Sequence, residues 1–272
     1  DTFQGTVFLG EGIEEEPAYH LAFRERADER LDCVRVIRDK RYAYHKNYMP
    51  YAPAGQHLAY LWKAEATRAW EQHHREGKTD VITGRFFEPR VSEEFFDNEK
   101  DFDNVHNLIE ADEHQERIAE LKNVLRQRQL ELYDSGLLPE QMRVRRAKEN
   151  GLMIYDMVRD EKLYPLATYL DAADLALARD KSNLDTFVGN LSHDDEGLRW
   201  WGIVGLHLLE QEAASATAAF ETALSDDAHE IRMMAAWTLG NLGQPDQAIA
   251  CLDDLLFGKC DNEDMLHNVL EW

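Results

Sequence analysis

Residues 33–46 read CVRVIRDKRYAYHK and contain two short runs rich in β-branched and aromatic side chains. The first run, Cys33 to Arg38, is separated from the second, Arg41 to Lys46, by only two polar residues. Two such runs joined by so short a connection predict an antiparallel β-hairpin. In the second run the tyrosines fall on one face of the strand, because successive side chains of a strand point to opposite faces.

Further elements surround this hairpin. Short aromatic runs at Tyr19–Arg24 and Glu94–Asp97 predict two more strands. Leu61–Glu76 is predicted to be a helix that Gly77 ends, and apolar residues recur at helical spacing within His114–Tyr133. The fold class expected for residues 1–140 is therefore α+β, with a small antiparallel sheet and a long helix packed across it.

The C-terminal part of the chain contains an internal repeat. Residues 191–206 (LSHDDEGLRWWGIVGL) align with residues 224–239 (LSDDAHEIRMMAAWTL) at an offset of 33 residues. Each unit contains an Asp-rich turn that caps the next helix, and a partial third unit follows in residues 248–272. Such units bury their apolar stripes only against their neighbours, so the pattern predicts an α-solenoid. The paired tryptophans Trp200 and Trp201, together with Trp237, are predicted to be core residues of these helices.

These patterns divide the chain into three parts. Residues 1–140 form the predicted sheet domain, residues 141–164 a charged helical bridge, and residues 165–272 the helical repeats. The chain begins at Asp1 without a recognisable targeting signal, and it stops within an apolar helical pattern. We therefore expect it to be part of a longer protein, with the last repeat truncated.

The net charge of −23 is distributed unevenly. Residues 1–150 hold 30 acidic and 23 basic side chains, whereas residues 151–272 hold 23 acidic and 7 basic ones. A tail this acidic repels polyanions, which argues against nucleic acid as a partner and predicts that a polyanionic glycan would be held by the N-terminal half. No apolar run approaches the roughly 20 residues of a membrane-spanning helix.

The charged segment Arg24–Arg30 (RERADER), followed by Asp32, is the first candidate site. The planar forks of Arg24 and Arg26 are suited to gripping an anionic group. The alternative is a solvated run of charges that pair with one another, and composition alone favours that alternative.

The segment from Asn47 to His57, which includes Tyr48, is the second candidate. Tyrosine rings stack on sugar faces and amides bond sugar hydroxyls, so this composition suits sugar recognition. The alternative is a surface loop packed by its own tyrosines.

Metal and nucleophile patterns are weak. The acidic residues from Glu99 to Glu110 distantly echo a calcium loop, but Asn104 stands where such a loop needs glycine, which favours a plain turn. The three cysteines, Cys33, Cys251 and Cys260, form no zinc pattern. The sequence also lacks the common hydrolase and nucleotide-binding motifs.

Residues 20–140 nevertheless resemble the C-terminal region of sulfatases, close to those that include heparan N-sulfatase (sulfamidase) and its bacterial relatives. The resemblance rests on five stretches in the family's order: RERADERLD at 24–32, VRVIRDKRY at 34–42, NYMPY at 47–51, EEFFD at 93–97 and LELYDSGLLP at 130–139. Ala43 departs from the pattern, since the family has lysine there. Some members of this family also carry a tail of HEAT-type helical repeats.

The resemblance implies hydrolysis of sulfate esters or sulfamates, with a sulfated glycan or an aryl sulfate as substrate. Family members use a formylglycine, formed in a C/S-x-P-x-R motif, beside a calcium ion. This sequence has no such motif, so nucleophile and calcium site are expected upstream of Asp1, and no catalytic residue or metal ligand is expected within the chain. The resemblance also implies a periplasmic or secreted protein. The expected substrate-binding residues are Arg24, Arg26, Asp28, Glu29, Asn47, Tyr48 and His57.

Two hypotheses of different classes remain. In the first, the chain is the C-terminal part of a sulfatase and forms one wall of its substrate cleft. In the second, it is a non-catalytic scaffold that binds a protein partner through the helical repeats.

Overall fold

The computed structural model describes residues 5–28 and 30–257, and a four-stranded antiparallel sheet forms the basis of the N-terminal half. The strands lie in the sheet in chain order: β1 (His20–Arg24), β2 (Val34–Arg38), β3 (Tyr42–Asn47) and β4 (Glu93–Asp97). The predicted hairpin is confirmed, with Ile37 of β2 opposite Tyr44 of β3. Its turn is stabilised by Asp39, whose carboxylate accepts two backbone N–H groups of the turn at 2.6 Å.

The predicted long helix covers one face of this sheet. It is α3, Gln115–Leu132, and its apolar side chains recur every three or four residues on the side that faces the sheet. The resulting core combines strand and helix side chains: Ile37, Tyr44, Phe95, Ile118, Leu121 and Leu125. The α+β prediction for this half is therefore confirmed.

The first predicted helix is broken in two. Residues Leu61–Lys63 form a 3₁₀ turn, Ala64 is extended, and α1 begins only at Glu65 and ends at Arg75. The Arg68 guanidinium donates to the carbonyls of Trp62 and Lys63 at 2.6 and 2.8 Å, so the break leaves these carbonyls satisfied. The other helices are α2 (Val81–Gly84), α4 (Glu140–Glu149), α5 (Ile154–Met157), α6 (Leu166–Leu177), α7 (Leu184–Asn190), α8 (Glu196–Leu208), α9 (Thr217–Ala223), α10 (His229–Asn241) and α11 (Pro245–Phe257).

The structure reproduces the repeat found in the sequence. The bounds of α7 and α8, shifted by 33 residues, are the bounds of α9 and α10. The equivalent Phe187 and Phe220 are both buried. Asp195 caps α8 by accepting the N–H groups of Gly197 and Leu198. α11 begins the third unit, whose remainder lies outside the described residues, so the α-solenoid stays a prediction.

The sheet half and the repeats share one hydrophobic core. Cys33, Tyr48 and Tyr51 of the sheet half belong to the same buried cluster as the repeat helices. Residues 141–164, predicted as a bridge, contribute Met142, Ala147 and Met157 to this cluster. The two halves are therefore in direct contact, and residues of both can line one site.

Candidate functional site

The charged segment between β1 and β2 forms a tight turn. A single β-bridge joins Ala27 and Arg30 across it, and Asp28 has a φ of 53°, in the left-handed region. Aspartate tolerates that region better than most residues, because its short side chain can hydrogen-bond locally. The side chains of Arg26 and Asp28 are exposed. Glu29, one of the predicted substrate-binding residues, lies outside the described part of the chain.

Both arginines predicted to grip an anion are held by carboxylates. Arg24 Nε lies 3.1 Å from Asp32 Oδ2, and Arg26 Nε donates to Glu140 Oε2 at 2.6 Å. Asp32 also accepts two bonds from Arg90, at 2.8 and 3.2 Å. Only the Arg24–Asp32 contact is a pair within the segment, as the alternative interpretation expected; Arg26 and Asp32 also have partners outside it. The arginine side chains nevertheless remain 45% and 41% exposed, so an incoming anion can reach them.

A buried cluster of charged side chains connects the turn to β2 and α4. Arg35 of β2 is almost inaccessible, and it donates to both oxygens of Asp134 at 2.7 and 2.8 Å and to Glu25 at 2.6 Å. Arg143 of α4 donates to the other Glu25 oxygen at 3.1 Å. Burial raises the pKa of Asp134, but the hydrogen bond and charge of Arg35 outweigh it and hold that pKa below the usual value.

A cavity of about 310 Å³ opens between this turn and the repeat helices. Its walls come from the turn after β1, the segment after β3, residues 136–143, and helices α8 and α10. Arg26, Asp28 and Glu140 stand at its opening, where their side chains meet solvent. About half of the remaining lining is aromatic or sulfur-containing, and the rest includes the charged side chains of Glu25, Asp32, Arg143 and Glu230. The aromatic and sulfur-containing residues are Cys33, Tyr48, Met49, Tyr51, Trp200, Trp201, Met233, Met234 and Trp237.

The structure brings some predicted site residues together and separates others. Arg26, Asp28 and Tyr48 line the cavity, whereas the other predicted residues of the described chain lie outside its lining. Asn47 is buried, where its side chain accepts the N–H of Met49 at 3.0 Å and donates to a carbonyl at 3.3 Å. The exposed His57 ring lies tilted against a tryptophan of the first 3₁₀ turn, with 5.1 Å between the ring centres. The substrate-binding role of these residues stays a prediction.

Residues 47–57 do not form the tyrosine-rich surface loop that either interpretation assumed. Tyr48 and Tyr51 are 1% and 8% exposed. Their rings meet Trp201 and Trp237 of the repeat helices at 6.2 and 5.6 Å, edge to face. The tyrosines are buried because the repeat helices cover them, a contact between distant parts of the chain that local composition does not reveal.

Sequence reasoning missed several residues of the cavity. Glu140 binds Arg26 across 114 positions of sequence, and no local signal marks that pair. Trp201 was expected only in the repeat core, and its indole N–H does donate to the Leu137 carbonyl at 2.9 Å inside the protein. It also lines the cavity, as do its neighbour Trp200 and the more distant tryptophan of α10. Each of these tryptophans packs against the hydrophobic core and also lines the cavity.

The described residues offer no fit for the catalytic groups of a sulfatase. They contain no cluster of three or more His, Cys, Asp or Glu side chains placed to hold a metal ion. In the acidic stretch, Asp101 accepts the N–H of His106 at 2.7 Å and so closes a turn. Burial raises the pKa of the Cys33 thiol to about 12, which keeps it unreactive. We derive no catalytic step from these residues.

Comparison with known proteins adds a relative for half of the chain. Over 138 residues the chain is 30% identical to an ulvan-active sulfatase from Formosa agariphila. This match covers 50% of the chain and 23% of the relative. The chain thus contains a sulfatase-related region and spans about a quarter of that relative's length. No family model matches the chain, and no solved structure matches it.

Between residues 5 and 257, leaving out residue 29, no helix is both long and apolar enough to cross a membrane.

Proposed function

We propose that this chain is the C-terminal part of a sulfatase that hydrolyses sulfate esters or sulfamates of a sulfated glycan. The observation that carries the proposal is the 30% identity with an ulvan-active sulfatase over 138 residues. The likeness to heparan N-sulfatase and the HEAT-type character of the tail rest on the residue patterns alone. The nucleophile and the calcium ligands then belong to a part of the protein outside residues 1–272, since these contain no C/S-x-P-x-R motif.

In this proposal the turn after β1 forms one wall of the substrate cleft. Arg26 is pre-positioned by Glu140 at 2.6 Å and remains accessible at the cavity opening. A guanidinium donates to two oxygens at once, which suits a sulfate group as well as a carboxylate. A substrate sulfate therefore competes with Glu140 for the same two N–H groups, and Arg26 binds it without moving far.

The test is hydrolysis of ulvan oligosaccharides by the whole protein and its variants. Arg26→Ala removes a charge-assisted hydrogen bond worth about 1.5–3 kcal/mol, so kcat/KM should fall about tenfold or more. Arg75→Ala is the matched control, because among the described residues Arg75 forms its ion pair with Glu71 on the exposed face of α1, away from the cavity. If Arg26→Ala keeps wild-type activity, the turn after β1 does not form part of the substrate cleft. A whole protein that hydrolyses no sulfate ester in the presence of calcium would overturn the function itself.

A second measurement asks whether the catalytic nucleophile lies within residues 1–272. Residues 1–272 alone are expected to give no turnover of nitrophenyl sulfate, with or without calcium. Turnover by the purified chain, at a rate that follows the chain through size-exclusion chromatography, would show that the nucleophile lies within it.

A further inference from the structure

The cavity between the turn after β1 and helices α8 and α10 combines two kinds of surface. Inside, the half-buried side chains of Leu31, Met49 and Trp237 contribute apolar surface, whereas the other rings of the lining are covered by protein: Tyr48, Trp200 and Trp201 are 1%, 8% and 3% exposed. At the opening stand the charged side chains of Arg26 and Asp28. A ligand for this site therefore needs an apolar face and, next to it, groups that exchange hydrogen bonds.

The size of the cavity limits the ligand. A volume of about 310 Å³ lies at the lower end of the range of roughly 300–1,000 Å³ for small-molecule sites. It admits a group of about one sugar ring and is too small for a helix of a partner protein. A larger ligand must therefore leave most of its length outside the opening.

The charges at the opening argue against a wholly apolar ligand. Such a ligand would strip water from Arg26, Asp28 and Glu140 without replacing the lost hydrogen bonds, at a cost of about 1–3 kcal/mol per group. Within the described residues, no side chain is seen to donate to the Asp28 carboxylate, which leaves its oxygens available to hydroxyl groups. A sugar ring meets both conditions, since its C–H face is apolar and its rim carries hydroxyls.

We propose that this cavity binds one sugar residue of a glycan, and that the repeat helices thereby form part of a carbohydrate-binding site. The ring lies against the half-buried Trp237 of α10 and its hydroxyls bond Asp28, while Arg26 binds a sulfate group of the same glycan, as in the proposed function. The identification of that glycan with the sulfated substrate rests on the proposed function. The helical tail then acts as a wall of the substrate site.

Calorimetric titration of the chain with an ulvan tetrasaccharide, and with its desulfated form, tests the site. Both forms should bind, because the cavity holds a ring and not a sulfate. Leu31→Trp and Met49→Trp fill the cavity from two half-buried lining positions and should weaken binding of both forms about tenfold or more. Met153→Trp is the matched control, since Met153 is 73% exposed and does not line the cavity.

Asp28→Asn keeps the proposal testable even if the filled variants do not fold. It changes only an exposed carboxylate, keeps a residue type that tolerates a positive φ, and should weaken binding about tenfold through loss of a charged acceptor. The inference is overturned if the wild-type chain binds neither oligosaccharide. It is equally overturned if Asp28→Asn and the filled variants, shown to be folded by thermal unfolding, all bind like wild type.

Kinetics of the whole protein separate this inference from the proposed function. In the filled variants KM for the tetrasaccharide should rise about tenfold, while Met153→Trp should keep the wild-type KM for both the tetrasaccharide and nitrophenyl sulfate, which has no sugar ring. If the whole protein hydrolyses nitrophenyl sulfate but the filled variants leave KM for the tetrasaccharide unchanged, the cavity site fails and the function stands. If the tetrasaccharide binds but no sulfate ester is hydrolysed, the function fails and the cavity site stands.

Discussion

The sheet half and the repeat half of this protein are stabilised by different means. In the sheet half, charged groups are buried and paired: Asp97 is 1% exposed and receives two bonds from Arg41, and Arg35 is 3% exposed. In the repeats, the core consists mainly of Ala, Leu, Phe and Trp side chains. Glu230, bound by Arg145 of the preceding region, is a buried charge there.

This difference determines which changes each half tolerates. Removing one partner of a buried ion pair destabilises the folded protein, because the remaining charge is poorly solvated. A core of small and aromatic residues is destabilised when a side chain changes its volume, because the helices already approach as closely as the side chains permit. We therefore expect the sheet half to respond most to changes of charge and the repeats to changes of size.

The largest expected effect is that of Arg35→Met in the sheet half. The change leaves Asp134 and Glu25 without their shared partner, and breaking a buried pair costs about 3–5 kcal/mol. Urea unfolding followed by circular dichroism measures this loss in the free energy of unfolding. Asp134 keeps its bonds from Gln129 and Gly136, so the lower end of the range is expected.

Arg126→Met provides the comparison for that measurement. Arg126 donates to Asp171, whose side chain is 67% exposed, and an exposed pair of this kind contributes at most about 1 kcal/mol. Equal losses for Arg35→Met and Arg126→Met would contradict the view that burial makes the Arg35 cluster important.

A histidine in the repeats should make the stability depend on pH. His207 is buried and its ring lies 2.9 Å from the Thr238 hydroxyl. Burial, and secondarily the charge of Arg179, lowers the pKa of His207 to about 4. The unfolded chain, with a pKa of about 6.5, then binds the proton first on acidification, so stability falls as pH drops from 7 toward 4. Between pH 7 and pH 5 the contribution is about 2 kcal/mol.

His207→Asn should remove this part of the pH dependence in urea unfolding curves. His45 in the sheet is the counterpart, since burial lowers its pKa to about 4 as well. Its side chain is still 23% exposed, so protonation there meets more water and His45→Asn should change the slope less. A pH slope that His207→Asn leaves unchanged would mean that other groups set the acid sensitivity of the repeats.

The sequence allowed the elements to be predicted better than the contacts between them. The hairpin at residues 33–46 and the 33-residue repeat are local patterns, and both are present in the structure. The cavity is not local, because it joins Asp28, Glu140 and Trp200 from distant positions. The burial of Tyr48 and Tyr51 escaped prediction for the same reason, since the helices that cover them lie about 150 or more positions further along the chain.

The charged segment at residues 24–32 shows a second limit. Composition favoured mutual ion pairs within the segment, and the Arg24–Asp32 contact is such a pair. Arg26, however, pairs with Glu140, and Glu25 with Arg35 and Arg143. Composition shows that charges will be neutralised, but only the fold decides by which partners, and the partners determine that Arg26 stands at a cavity opening.

Glycine substitutions in the repeats test their sensitivity to volume. A Cβ atom at Gly205 of α8 would lie 2.7 Å from the ring of Phe187, which is 1% exposed and has little room to move. Overpacking costs about 1–3 kcal/mol, and the gain in helix propensity of about 1 kcal/mol offsets part of it. Gly205→Ala should therefore lower the free energy of unfolding by up to about 2 kcal/mol. Stabilisation by this change would show that α7 and α8 are not in close contact.

The smallest expected effect has the opposite sign and comes from the same substitution in α10. A Cβ atom at Gly240 would lie 3.7 Å from the Cβ of Ala248 on α11, an ordinary contact that requires no movement. Replacing a helical glycine by alanine then mainly reduces the freedom of the unfolded chain, which stabilises by about 0.4–1 kcal/mol. Gly240→Ala should thus raise the urea midpoint while Gly205→Ala lowers it. Opposite shifts from the same substitution would show that the distance between packed helices, and not glycine content, governs stability in the repeats. Equal losses would mean that α10 and α11 lie closer together than the 3.7 Å between the two Cβ atoms indicates.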